Sequence, residues 1–212
     1  MNKYKKWQSQ LIAREMVDIL KSKSYDAHYA EDLNEAKQIV LNMIPHGSSV
    51  AVGGSETLAE MGMIDIFRGP EYKFFERYKT SSSEERIEVY RQSLLADFLV
   101  TSTNAITVNG ELVNVDSSGN RVAGIVFGPK RVIIVAGTNK VVDTLEDALK
   151  RLKKIAPMNA LRNNHKTPCI ETGRCMDCQA PSSMCNSISI VNHGMKFKGR
   201  ISVIMVAEEA GF

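Results

Sequence analysis

The sequence predicts an α/β fold: a largely parallel sheet flanked by helices, with an antiparallel hairpin inserted. Three observations predict it. Strand-like and helix-like segments alternate along most of the chain. The run Arg131-Val132-Ile133-Ile134-Val135-Ala136-Gly137 is nearly continuous in β-branched residues, as suits a central strand covered on both faces. Ser49-Val50-Ala51-Val52 passes through Gly53-Gly54-Ser55-Glu56-Thr57 directly into helix-compatible residues, which is the order of a βα unit.

The elements follow in order. Trp7, Leu11, Met16, Ile19 and Leu20 recur at helical spacing and predict a first helix with one buried stripe. A second helix is predicted over 32–43, with Asp32 as N-cap and Glu35 completing a capping-box pattern before Pro45-His46-Gly47 breaks the chain. After the 49–52 strand and its helix come a short strand over 72–75, a helix over 83–95 and a strand over 98–102. The β-prone segments 105–108 and 111–115 are joined by Asn109-Gly110, a strong hairpin signal. A helix over 142–155 follows the 131–137 strand and is expected to close at Pro157. The tail returns to β-prone runs at 187–191 and 201–206. With 212 residues the chain reads as one domain over 1–212, including a cysteine-rich loop at about 163–186.

Composition excludes some classes of function. The formal net charge is +3 and no long Lys/Arg run occurs, so no nucleic-acid footprint is present. No segment approaches the roughly 18 to 20 continuous apolar residues that span a bilayer. Arg14, Glu15 and Asp18 interrupt the N-terminal segment where a signal peptide would be apolar. A cytoplasmic location is expected, and there a cysteine cluster points to metal or redox chemistry rather than structural disulfides.

All four cysteines, Cys169, Cys175, Cys178 and Cys185, fall in the pattern C-x5-C-x2-C-x6-C within one polar loop. One loop supplying four thiolates suits an iron–sulfur cluster. Zinc is the alternative, although zinc ribbons more often set two C-x2-C pairs about 15–20 residues apart. Disulfides or free thiols are a third reading. His165 and His193 flank the loop and are further candidate ligands.

The Gly53-Gly54-Ser55-Glu56-Thr57 turn could bind a phosphate or carboxylate, or could simply turn the chain while Ser55 caps the helix. Its spacing matches neither the Walker loop nor the dinucleotide fingerprint, so neither ATP nor NAD is indicated. Asn104, Asn114, Asn120 and Arg121 lie just beyond the 98–102 strand, where open α/β sheets bind ligands. No G-x-S-x-G or H-E-x-x-H motif occurs.

Taken together, Gly53-Gly54-Ser55-Glu56-Thr57-Leu58 through Gly62, Asn104-Ala105-Ile106-Thr107, Gly110-Glu111-Leu112-Val113-Asn114, Asp116, Gly119-Asn120-Arg121-Val122-Ala123 and Phe127-Gly128-Pro129 resemble the LUD domain of lactate utilization proteins. The resemblance implies a fold similar to ribose-5-phosphate isomerase and the CoA transferases. It implies that Gly53, Gly54, Ser55 and Thr57 bind an anion and that Asn104, Asp116, Asn120 and Arg121 line a pocket for a small acid or phosphorylated metabolite. It also implies iron–sulfur protein partners in organic-acid oxidation. The chain departs from the simplest members by its four-cysteine loop. Two further readings are a non-redox metabolite-binding or regulatory protein with a structural zinc, and an isomerase or CoA-transferase-like enzyme using Glu111. The oligomeric state, homo-oligomer included, is left open by the sequence.

Overall fold

The computed structural model describes residues 2–194 and 196–212. In chain order the elements are α1 (Lys3–Ser22), β1 (Asp26–Ala30), α2 (Leu33–Met43), β2 (Ser49–Val52), α3 (Glu56–Glu60), α4 (Met63–Phe67), β3 (Lys73–Phe74), α5 (Ser83–Ser93), β4 (Phe98–Thr101), β5 (Ala105–Thr107) and β6 (Leu112–Asp116). They continue as α6 (Asn120–Val126), β7 (Arg131–Gly137), a 3-10 turn (Thr138–Lys140), β8 (Val141–Val142), α7 (Leu145–Arg162), α8 (Cys169–Thr172), β9 (Ser187–Val191) and β10 (Ile201–Val206).

Six strands form a wholly parallel sheet in the order β1-β10-β7-β4-β2-β3. Its core divides by the two-residue period of the strands. Along β7, Val132, Ile134 and Ala136 pack with Met16 and Leu20 of α1, while Ile133 and Val135 pack with Val40 of α2 and Leu58 of α3. Both faces are thus covered, as the β-branched run in 131–137 requires.

The 105–115 hairpin forms as expected, with Gly110 at φ +82°, a left-handed conformation natural to glycine. Its place differs from a simple insertion. It nucleates a second, mixed sheet, β8-β5-β6-β9, which packs Ala105 and Val113 against Ala148 and Leu152 of α7.

Three local expectations change. The first helix buries Ala13, Met16, Val17 and Leu20, but Trp7 and Leu11 are 62% and 51% exposed. Only the second half of the predicted stripe meets the sheet. Asp32 does cap α2, its carboxylate accepting from the Glu35 N–H at 2.9 Å, while the Glu35 carboxylate reaches the N–H of Glu31 rather than of Asp32. Most consequentially, α7 does not close at Pro157 but runs through it to Arg162. A proline inside a helix forfeits one backbone bond. Here burial of Ala156, Pro157 and Ala160 on the same side of α7 offsets that loss.

Candidate functional site

The site forms at the carboxyl ends of three adjacent parallel strands. Gly53 and Gly54 follow β2, Ser102 to Asn104 follow β4, and Lys140 closes the turn after β7. From β2 the chain moves outward to β3, whereas β4 leads the other way to β7. Connections that diverge between neighbouring strands leave a crevice there, the usual ligand position in open α/β sheets.

Arg121, at the start of α6, is the buried pivot of this crevice, only 7% exposed. Its guanidinium donates to Asn114 Oδ1 at 2.7 Å, to Asn104 Oδ1 at 2.9 Å, and to the carbonyls of Val115 at 2.7 Å and Ser102 at 3.2 Å. All four acceptors are neutral. Burial accordingly lowers its pKa, with Asp116 acting in the opposite sense. Asp116 does not pair with that guanidinium; one carboxylate oxygen accepts the backbone N–H groups of Arg121 and Val122 at 3.0 and 3.1 Å and so fixes the first turn of α6. Gly53 is glycine because Thr101 and Arg121 occupy the space a side chain would need.

Beside this pivot opens a cleft of about 490 Å³. Its cations come from separate elements: Arg77 from the loop after β3, Arg86 from α5, and Arg162 from the last turn of α7. Nη2 of Arg162 lies 3.7 Å, and the terminal nitrogens of Arg77 lie 4.0 Å, from the point where a β-carbon on Gly54 would stand. Arg77 is braced by Tyr90, whose ring lies 4.6 Å from its Cζ and whose hydroxyl accepts from Nη2 at 2.8 Å. Arg162 donates to Asn159 Oδ1 at 3.2 Å, and its Nε, buried without a hydrogen-bond partner, has the Glu56 carboxylate at 3.8 Å. Among the described residues Asp116 is the one carboxylate lining the cleft, and both of its oxygens are already engaged by backbone N–H groups, of Ser117 on one side and of Arg121 and Val122 on the other. The cleft therefore presents excess positive charge to a ligand.

A small recess of about 20 Å³ adjoins it, bordered by Ser55, Glu56, Ser102 and Lys140, and shares Gly54, Asn104, Arg121 and Asn159 with the cleft. Lys140 is 3% exposed, and its Nζ donates to Thr57 Oγ1 and Ser102 Oγ, both at 2.8 Å. Burial, reinforced by Arg151 and Arg121, pulls its pKa down to about 7.

The four cysteines ring a second cavity of about 370 Å³ whose wall includes Leu149, Leu152 and Met176. Cys169 is buried at the start of α8, its sulfur 3.2 Å from Thr167 Oγ1. Burial first, and then the other three cysteines, push the Cys185 thiol pKa up. Among the described residues no three His, Cys, Asp or Glu side chains stand close enough to hold a single ion. This cavity abuts the cationic cleft: Val115, Ala156, Met184 and Cys185 line both. The cysteine loop is also tied to the cleft wall, since Asn186 donates from its backbone to the Asp116 carbonyl and from Nδ2 to the Ser117 carbonyl, each at 3.1 Å. His165 faces the cleft, with Nδ1 2.8 Å from the Ser182 carbonyl.

Of the residues singled out in the sequence, Gly54, Asn104, Asp116, Asn120 and Arg121 line the cleft and Ser55 the recess. Gly53 and Thr57 stand behind them, Thr57 as a partner of Lys140. Glu111 accepts from Thr107 Oγ1 at 2.7 Å at the hairpin end and lines neither cavity. Sequence reasoning missed Arg77, Lys140, Asn159 and Arg162. The last two were hidden by the expected helix end at Pro157; Asn139-Lys140 directly after the strongest strand was the available signal for Lys140.

Residues 13–206 match the model of the LUD domain. The crystal structure of a DUF162 family protein from Deinococcus radiodurans is similar at a TM-score of 0.54 and 11% sequence identity, covering 93% of this chain and 97% of that one. At that identity the likeness concerns the fold. No curated protein matches.

Proposed function

The chain belongs to the LUD domain family, and from that premise we propose that it is a lactate utilization-like protein that binds a small carboxylated or phosphorylated metabolite beside a cysteine-held redox centre. The observation that carries the reading is the shared wall: Cys185 lines the cationic cleft and the four-cysteine cavity together.

Arg77 and Arg162 are the anion-binding pair. Their guanidinium groups converge over Gly54 from two elements, and the absence of a side chain there lets a ligand approach the backbone. Arg121 serves differently, because its donors are taken up by Asn104, Asn114 and two carbonyls. It holds the β4, β6 and α6 segments in register around the cleft.

Cys169, Cys175, Cys178 and Cys185 are the residues that would hold an iron–sulfur cluster. The fit rests on spacing. Four thiols from one C-x5-C-x2-C-x6-C loop border a common cavity, and a single compact loop supplying every thiolate suits iron–sulfur ligation better than the paired knuckles of a zinc ribbon. When bound, such a cluster supplies one-electron transfer. Leu152 and Ala160 of α7 supply a buried apolar floor to the cysteine cavity, and the Lys153–Asp177 ion pair at 2.8 Å ties the loop to α7. The reading implies iron–sulfur protein partners that accept or supply the electrons.

The test is iron and sulfide analysis with an EPR spectrum on anaerobically purified protein. The expected result is iron and sulfide in cluster proportion and a reducible paramagnetic signal. A colourless protein with stoichiometric zinc removes the electron-transfer part.

A further inference from the structure

Lys140 is the buried group whose setting anion binding at the cleft mouth leaves unexplained. Its Nζ touches two hydroxyls and no carboxylate. Both hydroxyls are oriented: Thr57 Oγ1 donates to the Ala210 carbonyl at 3.1 Å and Ser102 Oγ to the Thr103 carbonyl at 3.3 Å. Each therefore turns a lone pair toward Nζ, and together they fix two of its N–H directions. Of the charged groups that act on it most, Arg151, Arg121 and Arg162 are cations and Glu60 is an anion; the Glu56 carboxylate also borders the recess without contacting Nζ. A buried lysine surrounded by cations and held by neutral acceptors is destabilised as an ammonium and activated as an amine.

We propose that Lys140 is a reactive amine that forms an imine with the aldehyde or ketone carbon of a small acid held in the cleft. The proposal rests on the cleft being an acid-binding site, and it narrows the acid to one bearing a carbonyl group. The recess beside Lys140, about 20 Å³, has room for one small group rather than a whole metabolite. The carbonyl end enters it past Gly54, while the anionic end remains with Arg77 and Arg162. In the condensation the Nζ lone pair forms a bond to the carbonyl carbon and the π pair moves to oxygen. That oxygen then departs as water with the two amine protons, leaving a C=N bond. No oxidant or reductant takes part. The amide nitrogen of Asn104, on the same recess, is the neutral donor for the oxygen as it gains charge, since the Ser102 hydroxyl hydrogen is committed to the Thr103 carbonyl. With its pKa near 7, a substantial share of Lys140 is free amine at neutral pH.

The experiment is borohydride trapping. Intact protein is incubated with glyoxylate, pyruvate or dihydroxyacetone phosphate, reduced, digested and mapped by mass spectrometry. The expected result is a secondary-amine adduct concentrated on Lys140, absent from Lys140→Arg and Lys140→Met, with exposed lysines such as Lys5 unlabelled at the same dose. Mapping on wild-type protein requires no variant to fold. Absence of an adduct at Lys140 with all three compounds, or labelling no greater there than at exposed lysines, overturns the proposal. Calorimetric titration of the same compounds without reductant separates the two readings: binding without trapping retains the acid site and refutes the reactive amine.

Discussion

The side chain of Arg121 occupies the space beside Gly53: its Cδ lies 2.8 Å from where a β-carbon on that glycine would stand. The two residues pack against each other at the cleft, Arg121 in its wall and Gly53 behind it. Thr101 crowds the same position, and neither neighbour can yield, because Thr101 lies in β4 and Arg121 is held by four hydrogen bonds. Gly53→Ala is expected to lower stability by about 1–3 kcal/mol, as overpacking does. Gly54→Ala, whose nearest neighbours are guanidinium nitrogens at 3.7 Å or more, is expected to leave stability unchanged. Chemical denaturation of the two variants checks the contrast.

Arg162→Gln is expected to weaken binding of small carboxylates or phosphates roughly tenfold to a hundredfold, matching about 1.5–3 kcal/mol for a charge-assisted contact. Without ligand its melting temperature should change little, since relief of the buried charge and of repulsion from Arg77 is set against the lost attraction to Glu56. Calorimetric titration and a thermal melt measure the two effects.

The pH dependence of Lys140 has a definite sign. Its folded pKa, about 7, lies below the ordinary lysine value of 10.5. Between those values the unfolded chain holds a proton that the folded chain lacks, so this group makes stability rise with pH across that window and adds a constant penalty below it. Stability measured from pH 7 to 10 should therefore rise less steeply in Lys140→Met than in the wild type. Equal slopes would mean that Lys140 titrates as an exposed lysine does.

Cys185→Ser is expected to reduce both metal content and ligand affinity, because that residue lines both cavities. Cys175→Ser should reduce metal content while leaving the anion affinity of the metal-free protein intact, since Cys175 lines only the cysteine cavity. Metal analysis and calorimetry on the two purified variants distinguish them.

How much was legible follows from what each signal reports. The β-branched run of 131–137 and the glycine turn after Val52 are local signatures of buried parallel strands and βα turns, and both elements form as read. The reach of α7 was not legible, because Pro157 is a strong local stop whose loss is offset only by tertiary burial of Ala156 and Ala160. With it went Arg162, half of the proposed anion-binding pair. The outward turn of Trp7 and Leu11 was hidden for the same reason: helical spacing shows a stripe but not how much of it the sheet reaches. Cysteine spacing identified the loop, and its attachment to Asp116 and Ser117 through Asn186 is a long-range contact that spacing does not encode.

The most direct measurement of the central claim is an EPR titration of the reduced, anaerobically purified protein with lactate, pyruvate and inorganic phosphate. If the cationic cleft and the cysteine centre share a wall as proposed, an anion that binds will shift the cluster signal in the wild type, and the shift will be lost in Arg162→Gln while the cluster content stays the same. An iron-free protein, or a cluster signal indifferent to a ligand that calorimetry shows to be bound, would contradict the account.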